Sequence, residues 1–336
     1  MRQARKKYEK RLFTRKEGGA RPVLVAAPDE YAQSEFVVDE ILRLRDAGVA
    51  LEDMAVLFRA GYQSFGLEVE LTKQGIPFVK YGGFKFMESA HIKDVLAHLR
   101  LVTHPADRLA WTRALQLLEG VGPKTAAALC DQLCKGVDLS GIAPGKKKWA
   151  GAWERLAGLI AELRQGGMAP RDAGERVVEY YAPLLQDLHD NWPKRMKDLE
   201  QMLALMERYD KLEPFLSDMA LDPPTTSMDD HLAGEEPEGG RLVLSTVHSA
   251  KGLEWEAVFV IWALDGRFPS IHSIRAGGDQ LEEELRLLYV AATRAKKRLF
   301  FLHPASVFDR AANGFLCEPS RFLAAIPPSI LPRIRA

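Results

Sequence analysis

The chain has 336 residues, 47% hydrophobic and 27% charged, which is enough for two globular domains with cores of their own. Lys and Arg number 46 and Asp and Glu 46, so the formal net charge is zero and nucleic acid must be met by local basic patches rather than by a global field. No apolar run approaches the ~18 residues of a membrane span, the start is basic and polar rather than a leader, and Cys130, Cys134 and Cys317 have no further Cys or His nearby to complete a zinc site; a cytoplasmic protein with buried free thiols is expected.

Residues 1 to 20 are rich in Arg and Lys (Arg2, Arg5, Lys6, Lys7, Lys10, Arg11, Arg15, Lys16) and read as a solvated linker. Pro22 to Ala27 predicts a strand, and Asp29 to Ala47 an amphipathic helix with Phe36, Val37, Ile41 and Leu44 on one face and Gly48 at its stop. Phe36 to Glu40 imitates a Walker B strand, an apolar run ending in two carboxylates, but the helical period continues through Leu44 and argues against it. Asp53 to Arg59 predicts a second strand, Gln63 to Gln74 a helix, Gly75 to Val79 a turn and short strand, and His91 to Val102 another helix. Such alternation argues a parallel α/β sheet. Between the last two, Tyr81 to Phe86 is a glycine-containing loop in which Tyr81 and Lys85 suit base stacking and phosphate contact. Core packing is the other reading for Phe84 and Phe86.

From about Pro105 to Glu238 strand signals are scarce. Apolar positions recur at helical spacing over Leu109–Leu118, Ala126–Leu133, Trp153–Leu163, Ala173–Leu185 and Met196–Tyr209, which predicts an all-α insertion with a polar exit from Asp222 to Gly240. Within it, Leu117 to Leu129 carries Gly120-Val121-Gly122-Pro123-Lys124. A phosphate-binding P-loop is excluded, because Pro123 separates glycine from lysine and helices flank both sides. A helix–hairpin–helix fits better: Gly120 and Gly122 permit a tight turn, Pro123 opens the next helix, the N–H groups there suit a DNA phosphate, and Lys124 adds a cation. An ordinary helical hairpin fits the same residues.

A β-branched run, Leu242 to Val247, leads into Ser245-Thr246-Val247-His248-Ser249-Ala250-Lys251-Gly252-Leu253-Glu254-Trp255, and an apolar run, Ala257 to Trp262, leaves it. Strand, loop, strand is the reading, with the Thr, His, Lys and Glu side chains expected at one edge of the sheet, where ligands bind in open α/β folds. About forty residues on comes a charged element, Glu283 to Ala295. Arg298 to Leu302 predicts a last strand, and Pro304 to Ala336 a covering segment with a loose terminus.

These two stretches, TVHSAKGLEWE and EEELRLLYVAATRA, resemble motifs V and VI of the UvrD/Rep-type superfamily 1 DNA helicases, in that family's order and spacing. MAVLFRAGYQS resembles its motif IV, and RKKYEKRLFTRKEGGARPVLV its crossover between motor domains. The resemblance implies an α/β fold: a basic crossover (1–20), then a RecA-like parallel-sheet domain (21–104 and 239–336) interrupted by a mostly helical inserted subdomain (105–238). It also implies roles. Arg294 matches the arginine finger of motif VI and Arg59 an arginine of motif IV that also faces the γ-phosphate, both expected at one sheet edge. Phe58 stands where a Tyr stacks on adenine, Glu254 matches the carboxylate on the ribose with Gly252 beside it, and Thr246 and His248 match residues near the single-stranded DNA backbone. For either arginine the plain alternative is a surface salt bridge, and for His248 an ordinary loop histidine.

Neither a Gly-x-x-x-x-Gly-Lys-Ser/Thr run nor a Walker B strand is read in the chain. The expectation is therefore the C-terminal portion of an ATP-dependent 3′→5′ DNA helicase, inactive as an ATPase by itself. Its cofactors would be ATP and Mg²⁺, the Mg²⁺ held by the N-terminal half. Its partners would be single-stranded DNA, the single-strand/duplex junction and the N-terminal motor domain, with no membrane. Two alternatives are a DNA-binding or interaction module without motor function, and the helicase part of a RecB-like helicase–nuclease.

Overall fold

The computed structural model describes residues 19–82, 86–220, 240–309 and 314–336. By contacts the chain divides into two compact units, Met1–Phe84 with Asp222–Ala336, and Lys85–Leu221. In chain order β1 (Val23–Ala27), α1 (Glu30–Asp46), β2 (Met54–Phe58), α2 (Phe65–Lys73) and β3 (Phe78–Tyr81) come first. The helical unit follows with α3 (Ala90–Thr103), α4 (Arg108–Gln116), α5 (Pro123–Cys134), α6 (Ala150–Arg164), α7 (Pro170–Leu188), α8 (Trp192–Met206) and α9 (Leu212–Asp218). The chain returns as β4 (Leu242–Thr246), β5 (Trp255–Val260), α10 (Ile271–Ala276), α11 (Gly278–Ala292) and β6 (Ala295–Pro304), and ends in β7 (Val307–Asp309), β8 (Gly314–Leu316), α12 (Arg321–Ala324) and β9 (Arg333–Arg335).

Seven strands form one parallel sheet in the order β3-β4-β2-β5-β6-β1-β9, and β7 and β8 make a separate antiparallel pair. Parallel strands are covered on both faces, and β2, an interior strand, is buried at every residue. Met54, Val56 and Phe58 join Val37, Ile41 and Leu44 of α1 and Leu67 and Leu71 of α2 on one face. Ala55 and Leu57 join Val247, Ala250 and Leu287, Leu288 and Ala291 of α11 on the other. The side chain of Asp29 caps α1 by accepting from the N–H groups of Tyr31 and Ala32 at 2.8 and 2.9 Å. Asp39 and Glu40 lie inside that helix, as the uninterrupted period requires, and Glu40 pairs with Arg43 one turn on.

The helical unit has its own core, built around Trp111, Leu115, Leu129, Trp153 and Ile160. A polar centre lies among its helices: the buried carboxylate of Asp94 accepts from Tyr181 Oη at 2.6 Å and Arg113 Nε at 2.5 Å. Beside it, buried His98 donates from Nδ1 to the Asp94 carbonyl at 2.7 Å, while Nε2 finds no partner.

Three expectations need correction. The helical unit begins at residue 85 rather than near 105, because α3 buries Ala97 and Leu101 against α4 to α6. The tail is not loose at its end: β9 adds to β1 as a parallel edge strand, and the N–H of Ala336 donates to the Ala26 carbonyl at 3.1 Å. Cys130 is buried and Cys134 partly so, but Cys317 is exposed. The basic linker and the helical unit's exit, residues 1–18 and 221–239, lie outside the described residues.

Candidate functional site

Strand register decides where the candidate residues go. β4 and β5 flank β2 and both run parallel to it, with Thr246 opposite Phe58 and Ala257 opposite Met54. The segment between them must therefore return from the carboxyl edge of the sheet to the amino edge, and it does so without a full helix. A single turn forms, with the Ala250 N–H donating to the Thr246 carbonyl at 3.1 Å and the Leu253 N–H to the Ala250 carbonyl at 3.2 Å. Val247 and Ala250 anchor it in the core, and Gly252 (φ 90°) supplies the left-handed step that ends it. The expectation of one edge is corrected: Thr246 and His248 stand at the carboxyl edge, whereas Gly252 and Glu254 reach the amino edge.

α11 makes the same journey and leads into β6, whose Ala295 pairs with Trp255. Arg294 thus lies at the amino edge, where its carbonyl accepts from the Trp255 N–H at 2.9 Å. Its guanidinium is aimed by neutral oxygens: Nε donates to the Val290 carbonyl (3.1 Å), Nη1 to the Leu253 carbonyl (2.8 Å) and Nη2 to Thr293 Oγ1 (3.0 Å). Among the described residues no carboxylate forms an ion pair with it, so the salt-bridge alternative does not describe Arg294. Nearby Glu254 is 64% exposed at its side chain, with Lys296 Nζ 3.6 Å away.

Arg59 is different. It ends β2 at the carboxyl edge, and its fork closes on Glu284 of α11 with Nε–Oε distances of 3.1 and 3.1 Å and an Nη2–Oε1 distance of 3.0 Å. Glu284 is only 2% exposed and also accepts from Ser273 Oγ at 3.1 Å. Six strand residues, roughly 20 Å at ~3.3 Å each, separate the level of Phe58 from that of Trp255 and Arg294. The pairing of Arg59 with Arg294 on one γ-phosphate is therefore corrected, since the two occupy opposite edges and Arg59 already has its counter-ion. Phe58 is corrected as well: at 0% exposure inside the core, it has no ring face free for adenine.

The carboxyl edge gathers a polar group of another kind. Thr246 Oγ1 donates to Ser249 Oγ at 3.0 Å, and His248 beside them is exposed. Tyr81, 37% exposed, ends β3 next to Gly82, which has φ 85°. A Cβ on Gly82 would collide with Thr246 Oγ1, so only glycine lets the two strand ends approach. Phe86 is buried, as its core reading has it, and Lys85 lies outside the described residues. In the helical unit α4 and α5 form the expected hairpin. Gly120 takes φ 82° in the turn, Gly122 precedes α5 with Pro123 at its first position, and Lys124 is exposed.

Comparison with known proteins gives the family. A family model described as the UvrD-like helicase C-terminal domain matches residues 1–304, up to the end of β6. The chain belongs to this family. Among its relatives, the ATP-dependent DNA helicase PcrA of Leuconostoc citreum is 31% identical over 344 residues, covering 96% of this chain and 45% of that protein. The PcrA proteins of Bacillus subtilis (29% over 349 residues) and Staphylococcus aureus (29% over 348 residues) match 96% of this chain and 46% of their own length. The chain thus spans about half the length of these helicases.

Sequence reasoning missed two residues that organise the carboxyl edge of this UvrD-like domain. Gln63 Oε1 accepts from the N–H groups of Arg59 and Ala60 at 2.9 and 3.0 Å. Trp262, the one non-glycine with positive φ (57°) among the described residues, donates from Nε1 to the Gln63 carbonyl at 2.8 Å. Neither carries a sequence signal: Trp262 closes an apolar run and Gln63 sits among polar turn residues.

Proposed function

We propose that this chain forms the second motor half of an ATP-dependent DNA helicase, meeting nucleotide along the amino edge of its sheet and single-stranded DNA along the carboxyl edge. The observation that carries the nucleotide side is Arg294, a fork held by three neutral oxygens. A guanidinium so placed keeps its charge for an anion that arrives from outside. Charge building on a transferred phosphoryl group is the kind it stabilises, by position and electrostatics alone. Glu254, exposed beside it, suits the ribose hydroxyls as an acceptor. The Mg²⁺ that accompanies ATP would be held by carboxylates of the half that carries the phosphate-binding loop. On the carboxyl edge, the hydroxyls of Thr246 and Ser249, the ring of His248 and the ring of Tyr81 suit a backbone phosphate and a stacked base. The α4–α5 hairpin with Lys124 would meet the duplex side of a junction. No helix among the described residues is long and apolar enough to cross a membrane, and a place beside DNA in the cytoplasm fits this reading.

The test is steady-state ATP hydrolysis by a motor that contains this chain. Arg294→Ala should lower kcat by about 10³-fold or more with little change in KM, as loss of an arginine finger does. Arg294→Lys should rescue little, because an ammonium lacks the fork. Glu254→Ala should mainly raise KM, since bonding to ribose barely changes during phosphoryl transfer. Near-normal kcat in Arg294→Ala would overturn the assignment of the amino edge.

A further inference from the structure

We infer that the Arg59–Glu284 ion pair is a positioning strut, which ties the carboxyl edge to α11 and thereby sets the attitude of Arg294 at the opposite edge. The inference rests on the two-edge reading above and adds to it a route by which DNA at one edge governs hydrolysis at the other.

The route consists of contacts between neighbours. Thr246 and Ser249 abut Gly82, and a Cβ on Gly61 would lie 3.9 Å from the Gly82 carbonyl oxygen. Gly61 opens the turn Gly61–Ser64, whose Gln63 fixes the backbone N–H of Arg59 at 2.9 Å. Arg59 then grips Glu284, 225 residues further along the chain, through bonds of 3.0 to 3.1 Å. From Glu284, α11 runs to its last turn, where the Val290 carbonyl receives Arg294 Nε at 3.1 Å. From Glu284 to Val290 is about 9 Å of helix rise, at 1.5 Å per residue, along one continuous helix. The other support of Arg294, the Leu253 carbonyl, is the far end of the crossover that starts at Thr246. Arg294 therefore rests on the ends of a helix and of a crossover loop, and both lead back to the carboxyl edge.

An ion pair suits the near end of such a helix better than apolar packing. Leu287, Leu288 and Ala291 hold α11 on the sheet by apolar contact, which is non-directional. A two-pronged bond to a carboxylate that is 2% exposed fixes the axial position. Arg59 itself is 30% exposed, so a DNA phosphate drawn to this edge would compete with Glu284 for its donors. A change in that competition shifts α11, and with α11 the carbonyl that aims Arg294.

The experiment measures ATP hydrolysis by the motor containing this chain, with and without saturating oligo-dT, for Arg59→Gln, Glu284→Gln and the double variant. Each single variant should lose roughly 3- to 30-fold of the ratio of DNA-stimulated to DNA-free rate, the range of mutations that alter coupling. The double variant should be no worse than the poorer single one, because both remove the same link. If all three keep their DNA stimulation within twofold of the unaltered protein, the strut is not a coupling element and the inference falls. If Glu284→Gln does not fold, Arg59→Gln at the partly exposed end decides the matter alone. An unaltered motor without DNA-stimulated hydrolysis, or one in which Arg294→Ala keeps it, would overturn the two-edge reading and this inference together; strut variants that retain stimulation while Arg294→Ala loses it would overturn the strut only.

Discussion

Arg59 closes its fork on a buried carboxylate, whereas Arg294 hands its three hydrogen bonds to neutral oxygens, and that difference in counter-ion separates a structural cation from one left available to a ligand. Phe58 shows the same discrimination for a ring. Because it is fully buried, Phe58→Ala should cost about 3–5 kcal/mol of stability, read from urea melts, and leave nucleotide KM unchanged for the folded fraction. A raised KM in a protein of undiminished stability would restore its adenine role. The sequence supplied the residue type here but not its direction. A strand covered on both faces has no polar alternation to say which side chain points out. Gly82 makes a second residue-level prediction. Gly82→Ala meets both a strained φ of 85° and Thr246, so single-stranded DNA affinity, measured by fluorescence anisotropy with oligo-dT, should fall. Gly75→Ala carries comparable backbone strain of about 1–3 kcal/mol but meets nothing within 4 Å, and should leave affinity unchanged. Equal losses in both would mean that the effect is general destabilisation rather than displacement of Thr246 and Ser249.

At the scale of elements, the helices were the most legible part, because α4 to α8 repeat apolar residues at a period that only a helix satisfies. β9 was not legible: three residues are too few to show a period, and pairing with β1 rather than composition makes them a strand. The allegiance of α3 was equally hidden, since an amphipathic face announces a partner without naming it. The hairpin of α4 and α5 was read correctly as a turn, and its two glycines now separate. Gly120 holds φ 82°, so Gly120→Ala should cost about 1–2 kcal/mol. Gly122 has φ −84° and open space around it, so Gly122→Ala should be nearly neutral for stability. If the hairpin meets duplex phosphates, Lys124→Ala should weaken duplex binding alike for all sequences and reduce the slope of log K against log salt by about 1. An unchanged salt slope would leave the hairpin a packing element.

At the scale of the whole molecule, the motifs were legible as strings of residues, but the sheet edge each one serves was not. That depended on β4 and β5 being parallel neighbours of the same strand, which turns a short loop into a crossover from one edge to the other. Buried histidines lead to the final prediction. His98 in the helical unit and His303 on β6 both have pKa values lowered from the ordinary histidine range, chiefly by desolvation. Each is therefore neutral in the fold and binds a proton more readily once unfolded. Stability is then fully present above the unfolded value of about 6.5 and falls as pH drops below it toward the depressed folded values, because there the unfolded chain holds more protons. For His98 the reason is visible in its surroundings. Nδ1–H already serves the Asp94 carbonyl, the ring lies 5.4 Å from that of Tyr180, and a proton on Nε2 would have no acceptor. Urea midpoints should hold steady from about pH 8 to pH 7 and decline between about pH 6.5 and pH 5, before most carboxylates titrate. His98→Phe keeps a ring against Tyr180 and removes the titrating group, so the decline should become shallower while stability near pH 7 changes little. A decline of unaltered steepness in His98→Phe would show that His98 does not contribute to it.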